Sequence, residues 1–272
     1  MAGSSTIENG AEKRKYANIN VEDPSHFQEI GTNMLGFAKL EDGSKRVKGK
    51  FHGTRAHANP LADMLVTYPT SPADFDITRL YTRDAIERCG HISVADVGCG
   101  YGGMTMRLSE LFPNKLIIGL EIREVVVEYA QEQILKQRAE GRSGDNAAVI
   151  RSNAMKHFPC YFRKGQLDTM LFLFPDPHFK KSNHRRRIIS VNLLAEYAYA
   201  LKKGAIVYTA TDVFELRQWM DSQFALSPMF QEVTDSELKG DPVVAAIGTA
   251  TADAERALRK DGTHYIKVYR RV

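Results

Sequence analysis

Cysteine is scarce in this chain: Cys89, Cys99 and Cys160 are the three in 272 residues. They show neither a paired spacing nor a Cys/His pattern, so neither a disulfide framework nor a structural zinc is expected. A reducing compartment is the default for such a sequence. Tryptophan occurs once, and no uninterrupted apolar run approaches the roughly 18 residues of a membrane span. The amino-terminal stretch is polar and lacks the apolar core of a secretory signal, so export is not expected. A large excess of one charge is missing too. The net charge of +4 and the pI near 8.8 are only mildly basic, which excludes a histone-like polycation. What remains is a globular composition, 43% hydrophobic, long enough for one sizeable core or two small domains.

The positive charge is unevenly placed. It collects in "EKRK" (12–15), "KRVKGK" (45–50) and "KKSNHRRR" (180–187). One such run is ordinarily a solvated face. Three runs, one of them beside a candidate active loop, favour an anionic partner. Lys13–Lys15 suit a nuclear-import signal and equally a solvated tail. Residues 1–50 are polar and poor in periodic apolar positions, which predicts a flexible arm. Residues 51–80, with their prolines, predict an extended segment lying over a folded core.

From residue 80 the pattern alternates. Helices are expected over 80–89, 102–112, 123–140, 186–203 and 213–225. Strands are expected over 92–98, 115–121, 147–152, 167–174 and 204–211. A strand, helix and strand then follow to the end of the chain, the helix at 251–260. "LDTMLFLF" (167–174) is nearly continuous in its apolarity, as in a sheet buried on both faces. The alternation predicts an α/β fold with a parallel sheet and helices on both faces. In such sheets ligands sit beyond the carboxyl ends of the strands.

The residues after each strand therefore matter most. "DVGCGYGG" (96–103) follows the first. Gly98, Gly100 and Gly103 fit G-x-G-x-x-G for a dinucleotide. Asp96, Gly98, Gly100 and Gly102 fit D-x-G-x-G-x-G, which resembles the S-adenosylmethionine loop of class I methyltransferases. The acidic residue two before the first glycine favours the second, because a carboxylate helps to anchor the cofactor's ammonium. Glu121 ends the second strand, where a carboxylate accepts hydrogen bonds from ribose hydroxyls. Arg123 lies two residues on, placed to flank an adenosine. Asn153 and Ala154 follow the third strand, where an adenine ring is expected. The fourth strand ends in "LFPDPHFK", and Pro175 and Pro177 restrict the backbone on both sides of Asp176. A carboxylate so held can stabilise positive charge developing on a methylated purine, while the basic ladder holds phosphates. Asp176 as a turn or capping residue is the plainer alternative. His178 and His184 lack a third ligand at metal spacing, so no metal is expected.

With these motifs in view, the chain resembles the eukaryotic tRNA (guanine-N7)-methyltransferase family. The shared stretches are "RAHANPLAD" (55–63), "ADVGCGYGG" (95–103), "GLEIR" (119–123), "RSNAMKH" (151–157), "KGQL" (164–167), "LFLFPDPHFK" (171–180), "LLAEYAY" (193–199), "VYTATDV" (207–213) and "DPVV" (241–244). The resemblance implies a Rossmann-like class I methyltransferase fold, a mostly parallel seven-stranded sheet within a domain of residues 51–272. It implies methyl transfer from S-adenosylmethionine to N7 of guanosine 46 in the tRNA variable loop. Cofactor contacts are implied at Gly98, Glu121, Arg123, Asn153, Ala154 and Leu173, and Gly100 belongs to the same loop. Asp176 is implied as the catalytic residue. Thr251 and Asp253 fall in a late family element and are implied as further cofactor contacts, with Ala252 and Asp253 standing where relatives carry glutamates. Lys180, Lys181 and Arg185 are expected to meet the tRNA. The resemblance also implies a WD-repeat β-propeller partner, and a location in the nucleus, with the cytoplasm as a second site, is expected. A class I methyltransferase with another acceptor, and a non-catalytic RNA-binding scaffold, are the competing readings.

Overall fold

The computed structural model describes residues 58–62, 66–249 and 264–272. The whole of the expected arm (residues 1–50), with its "EKRK" and "KRVKGK" runs, the helix expected at 251–260, Thr251 and Asp253 lie outside the described residues. Within them the elements run α1 (Arg83–Cys89), β1 (Ile92–Val97), α2 (Gly103–Leu111), β2 (Leu116–Glu121), α3 (Glu124–Ala139), β3 (Ala147–Arg151), α4 (Ala154–His157) and β4 (Leu167–Leu173). Then come α5 (Val191–Ala200), β5 (Leu201–Thr211), α6 (Phe214–Ala225), β6 (Phe230–Glu232), α7 (Pro242–Ile247) and β7 (Tyr265–Arg271). No helix among the described residues is long and apolar enough to cross a membrane.

The strands form a seven-stranded sheet in the order β3-β2-β1-β4-β5-β7-β6. The first five strands are parallel to their neighbours, and β7 pairs antiparallel with both β5 and β6. All six residues of β1 and all six of β2 are buried, as strands covered on both faces must be. One face carries Ala95, Val97, Ile118, Leu120, Met170, Phe172 and Val207 against α5, α6 and the Phe158–Phe162 cluster. The other carries Val94, Ile117, Leu171, Tyr208 and Val268 against α2 and α7. Period-two alternation thus assigns each strand residue to one core or the other.

The order of strands determines where a ligand can enter. From β1 the chain winds outward through β2 to β3, then returns to lay β4 on the opposite side of β1. That reversal is a topological switch point, where an open α/β sheet leaves a crevice at its carboxyl edge. Val97 pairs with Phe172 in parallel register, so the loops after β1 and β4 emerge at one level.

Several elements differ from the sequence expectation. The helix expected over 186–203 is shorter, because the Ser190 side chain accepts from the Leu193 amide and caps a helix that starts at Val191. Residues 181–186 form a separate 3-10 turn, and Leu201 already belongs to β5. Ile189, Leu193, Tyr197 and Leu201 are nevertheless all buried, so the four-residue spacing marked the core correctly while overstating the helix. Two helices were not expected: the four-residue α4, which Asn153 caps by accepting from the Met155 amide, and α7, which begins at "DPVV". Asp241 Oδ1 accepts from the amides of Val243 (2.8 Å) and Val244 (3.0 Å), and Pro242 takes the first turn. An Asp-Pro pair before an apolar run is a helix start in its own right.

Candidate active site

The crevice at the carboxyl edge is built around a carboxylate with several protein donors. Glu121 ends β2 and is 4% exposed. Its Oε2 accepts from the Gly100 amide at 3.1 Å, and its Oε1 accepts from the Arg123 amide at 2.9 Å. The Arg123 guanidinium closes on the same carboxylate through Nε (3.1 Å) and Nη2 (3.2 Å). Burial opposes the Arg123 charge, but Glu121, with smaller contributions from Tyr101 and Asp176, outweighs it and raises the guanidinium pKa. Asp176 is thus electrostatically close to the cofactor-side arginine.

Below the glycine loop lies a second carboxylate. Asp96 is 1% exposed, and its Oδ2 accepts from the Thr105 hydroxyl at 2.7 Å. Burial raises its pKa to about 6, with the Thr105 hydroxyl opposing and Glu121 adding to the shift. Burial, followed by the charges of Asp96 and Glu121, pushes the Cys99 thiol well above its usual range, so it is no nucleophile. Gly119 makes this packing possible. A Cβ there would lie 2.7 Å from Cys99 Sγ and 2.9 Å from both Thr105 Oγ1 and Val149 Cγ2.

The loop's geometry fits S-adenosylmethionine. Gly98, Gly100 and Gly102 all have positive φ, which side chains resist. A Cβ on Gly102 would press on Ala130 of α3 at 3.1 Å, so that glycine serves packing. A Cβ on Gly98 would meet nothing within 4 Å, and one on Gly100 only Arg123 Nη2 at 3.9 Å. That side of the loop is open, with Asp96 and Glu121 beneath it and the Arg123 guanidinium bound to Glu121 at its edge. This suits a ligand carrying an ammonium and ribose hydroxyls better than a pyrophosphate.

The remaining expected residues fall as follows. Asn153 and Ala154 follow β3, and Ser152 N donates to Glu121 O at 2.9 Å, so they stand beside the Glu121 corner. The Asn153 side chain is engaged at both ends. Its Oδ1 accepts from Met155 N, and its Nδ2 donates to Pro60 O at 2.6 Å. With Lys156 bonded to Leu61 O and Ala62 O and Tyr68 stacked on His157, this holds residues 60–62 and Tyr68 against the core. Leu173, the last residue of β4, is buried in the core on the α2 and α7 side. Lys180, Lys181 and Arg185 are exposed beyond the Asp176 loop. No His/Cys/Asp/Glu group able to hold a metal is found among the described residues.

Sequence reasoning missed three features. Phe174 (φ 49) and His178 (φ 45) adopt the left-handed region without being glycine, so two strained residues bracket Asp176. Arg187 is buried behind the same loop. Composition carried no signal for the strain. Arg187 was hidden within a run of look-alike cations.

Comparison with known proteins agrees with this geometry. Residues 91–267 match the family described as "Putative methyltransferase". The chain is 45% identical over 241 residues to a Zea mays protein named tRNA (guanine-N(7)-)-methyltransferase, covering 85% of this chain and 94% of that one. It is 46% identical over 241 residues to a Bos taurus protein of that name, covering 82% and 87%. A Danio rerio protein of that name is 47% identical over 228 residues, covering 82% and 95%.

The buried carboxylates give two expectations. Folded Asp96 binds its proton more tightly than an ordinary aspartate with a pKa of 3.8, so stability should fall as pH rises from there to about 6. In urea unfolding at a series of pH values, the wild-type free energy minus that of Asp96→Asn should decline across that window, by at most about 1.4 kcal/mol per pH unit. A pH-independent difference would refute the assignment. Glu121→Ala should weaken S-adenosylmethionine binding in calorimetry by about tenfold or more, the size of one or two charged hydrogen bonds. Unchanged affinity would remove Glu121 from the cofactor site.

Proposed function

The chain belongs to the tRNA (guanine-N(7)-)-methyltransferase family, and from that premise we propose how its carboxyl edge performs the reaction. The enzyme transfers a methyl group from S-adenosylmethionine to N7 of guanosine in tRNA. The proposal adds the residues, the target position and the partner. One observation carries it: Asp176 is fixed by strained backbone beside the cofactor loop, with exposed Lys180, Lys181 and Arg185 beyond it.

S-adenosylmethionine, when bound, supplies an electrophilic methyl group on a sulfonium. Glu121 would accept hydrogen bonds from the ribose hydroxyls, and Asp96 would act from beneath the loop on the ammonium side. The backbone of Asn153 and Ala154 would border the adenine, and Leu173 would line the floor. Guanine N7 already has a free lone pair, so the chain need not supply a base to deprotonate it. Asp176 accepts hydrogen bonds from the guanine N–H edge and stabilises the positive charge that the purine gains. Preorganised electrostatics of this kind is commonly the largest catalytic contribution. The exposed cations hold the phosphates, so opposite charges act on different parts of one substrate.

The family resemblance supports guanosine 46 of the variable loop as the target and a WD-repeat β-propeller subunit as the partner that helps to hold the tRNA. The basic run at 12–15 supports a nuclear location. The test is methyl transfer from labelled cofactor to unmodified tRNA, with and without the partner, followed by base-resolved mapping. Label at N7 of the variable-loop guanosine is expected, and cofactor binding without any label would mean the acceptor is wrong. Asp176→Asn should keep cofactor affinity within about threefold yet lower turnover by roughly a hundredfold. Lost affinity with normal turnover at saturation would overturn its role. Neutralising Lys180, Lys181 and Arg185 together should flatten the slope of log affinity against log salt by about two to three units. An unchanged slope would leave the ladder facing solvent.

A further inference from the structure

Arg187 closes the basic run but does not share its exposure. It is 6% exposed, whereas Lys180, Lys181 and Arg185 face solvent. Its Nε donates to the Pro177 carbonyl at 2.9 Å, and its guanidinium lies 4.8 Å from the centre of the Trp219 ring. Trp219 is itself fixed, because its Nε1 donates to Ile189 O at 2.8 Å. No carboxylate among the described residues forms an ion pair with Arg187, and burial lowers its pKa. A buried cation without a counter-ion is costly, so what it holds in place should matter.

What it holds is the loop that carries Asp176. Pro175, Asp176, Arg187, Ile188 and Trp219 line one crevice. Pro175 and Pro177 have no amide hydrogen, so carbonyl groups are the main handles for fixing this stretch. Phe174 and His178 each add about 1–3 kcal/mol of backbone strain, which persists only where neighbours enforce it. Phe174 N donates to Ala210 O at 2.7 Å and pins the near end of the loop. The bond from Arg187 to Pro177 pins the far end, one residue past Asp176.

We propose that Arg187 is a positioning residue for methyl transfer: braced on Trp219, it holds the Pro177 carbonyl and thereby fixes the Asp176 carboxylate, and it is not a phosphate contact. This rests on the reading in which Asp176 meets the guanine.

The test is steady-state methylation of tRNA by Arg187→Gln, Arg187→Lys, Asp176→Asn and the double variant Asp176→Asn/Arg187→Gln, with cofactor binding and the salt dependence of tRNA binding measured alongside. Neither single substitution at Arg187 keeps both the stack and the Nε donor. Each should lower kcat by about 10- to 100-fold, the range expected when a reacting group is displaced by about 1 Å. Cofactor Kd and tRNA KM should stay within about threefold and the salt slope should not change. In the Asp176→Asn background, Arg187→Gln should cost less than about twofold, because the group it positions is already gone. A salt slope flatter by about one unit, with KM raised and kcat kept, would make Arg187 a phosphate contact and overturn the proposal. Additive losses in the double variant, or a cofactor Kd that weakens in step with kcat, would overturn it as a general structural role. Asp176→Asn turning over like wild type would instead overturn the reading on which the proposal rests, and the proposal with it. Should Arg187→Gln not fold, Trp219→Phe weakens the same stack and is expected to lower kcat about threefold with the same unchanged Kd and salt slope.

Discussion

The active edge depends on two carboxylates withdrawn from water at neighbouring strand ends. Asp96 and Glu121 are almost wholly buried; burial raises the Asp96 pKa, and the nearby Glu121 charge adds to the shift. Burying like charges together is unfavourable unless each is matched locally. Thr105 donates to Asp96, and Gly100 and Arg123 donate to Glu121. Each partner also sets geometry. Thr105 belongs to the first turns of α2, Gly100 to the loop, and Arg123 to the start of α3. Satisfying the carboxylates therefore fixes the loop, and the loop's shape in turn requires glycine at 98, 100, 102 and 119 for different reasons. The same pair gives the site a negative floor, which selects for a ligand with an ammonium and against one with a pyrophosphate.

That negative floor creates a difficulty for an enzyme acting on a polyanion. The fold resolves it by distance along the chain. Carboxylates stand at the strand ends, within two or three residues of the sheet. Apart from Arg123, which is bound to Glu121, the cations near the site begin four residues beyond Asp176, where Lys180, Lys181 and Arg185 are exposed. A phosphate backbone gripped from outside can present one neutral base inward without bringing its charges over Asp96 and Glu121. Guanine N7 suits this layout because it gains positive charge as it reacts, so a carboxylate lowers the barrier where it would otherwise only repel the substrate.

Much of this arrangement was legible in the sequence because strands buried on both faces leave continuous apolar runs. "ISVADVG", "KLIIGLE" and "LDTMLFLF" end at Gly98, Glu121 and Phe174, within a residue of the observed strands. Parallel order alone brings Gly98, Glu121 and Asp176 to one edge. Helix limits were less legible, because they depend on single capping bonds. Ser190 ended an expected helix early, and Asp241 started one in a stretch that apolar periodicity passed over. The partnership of Asn153 with Pro60 joins residues 93 positions apart, and no local pattern encodes it.

The basic run shows the limit most clearly. In "KKSNHRRR" every cation looks alike, and a count of charge treats them as one ladder. In the fold a 3-10 turn over Lys181–Arg186 directs Lys181 and Arg185 to solvent, then hands the chain to an extended residue, Arg187, that points inward. A change of backbone conformation at one position separates the exposed cations from the buried one that donates to the Pro177 carbonyl beside Asp176.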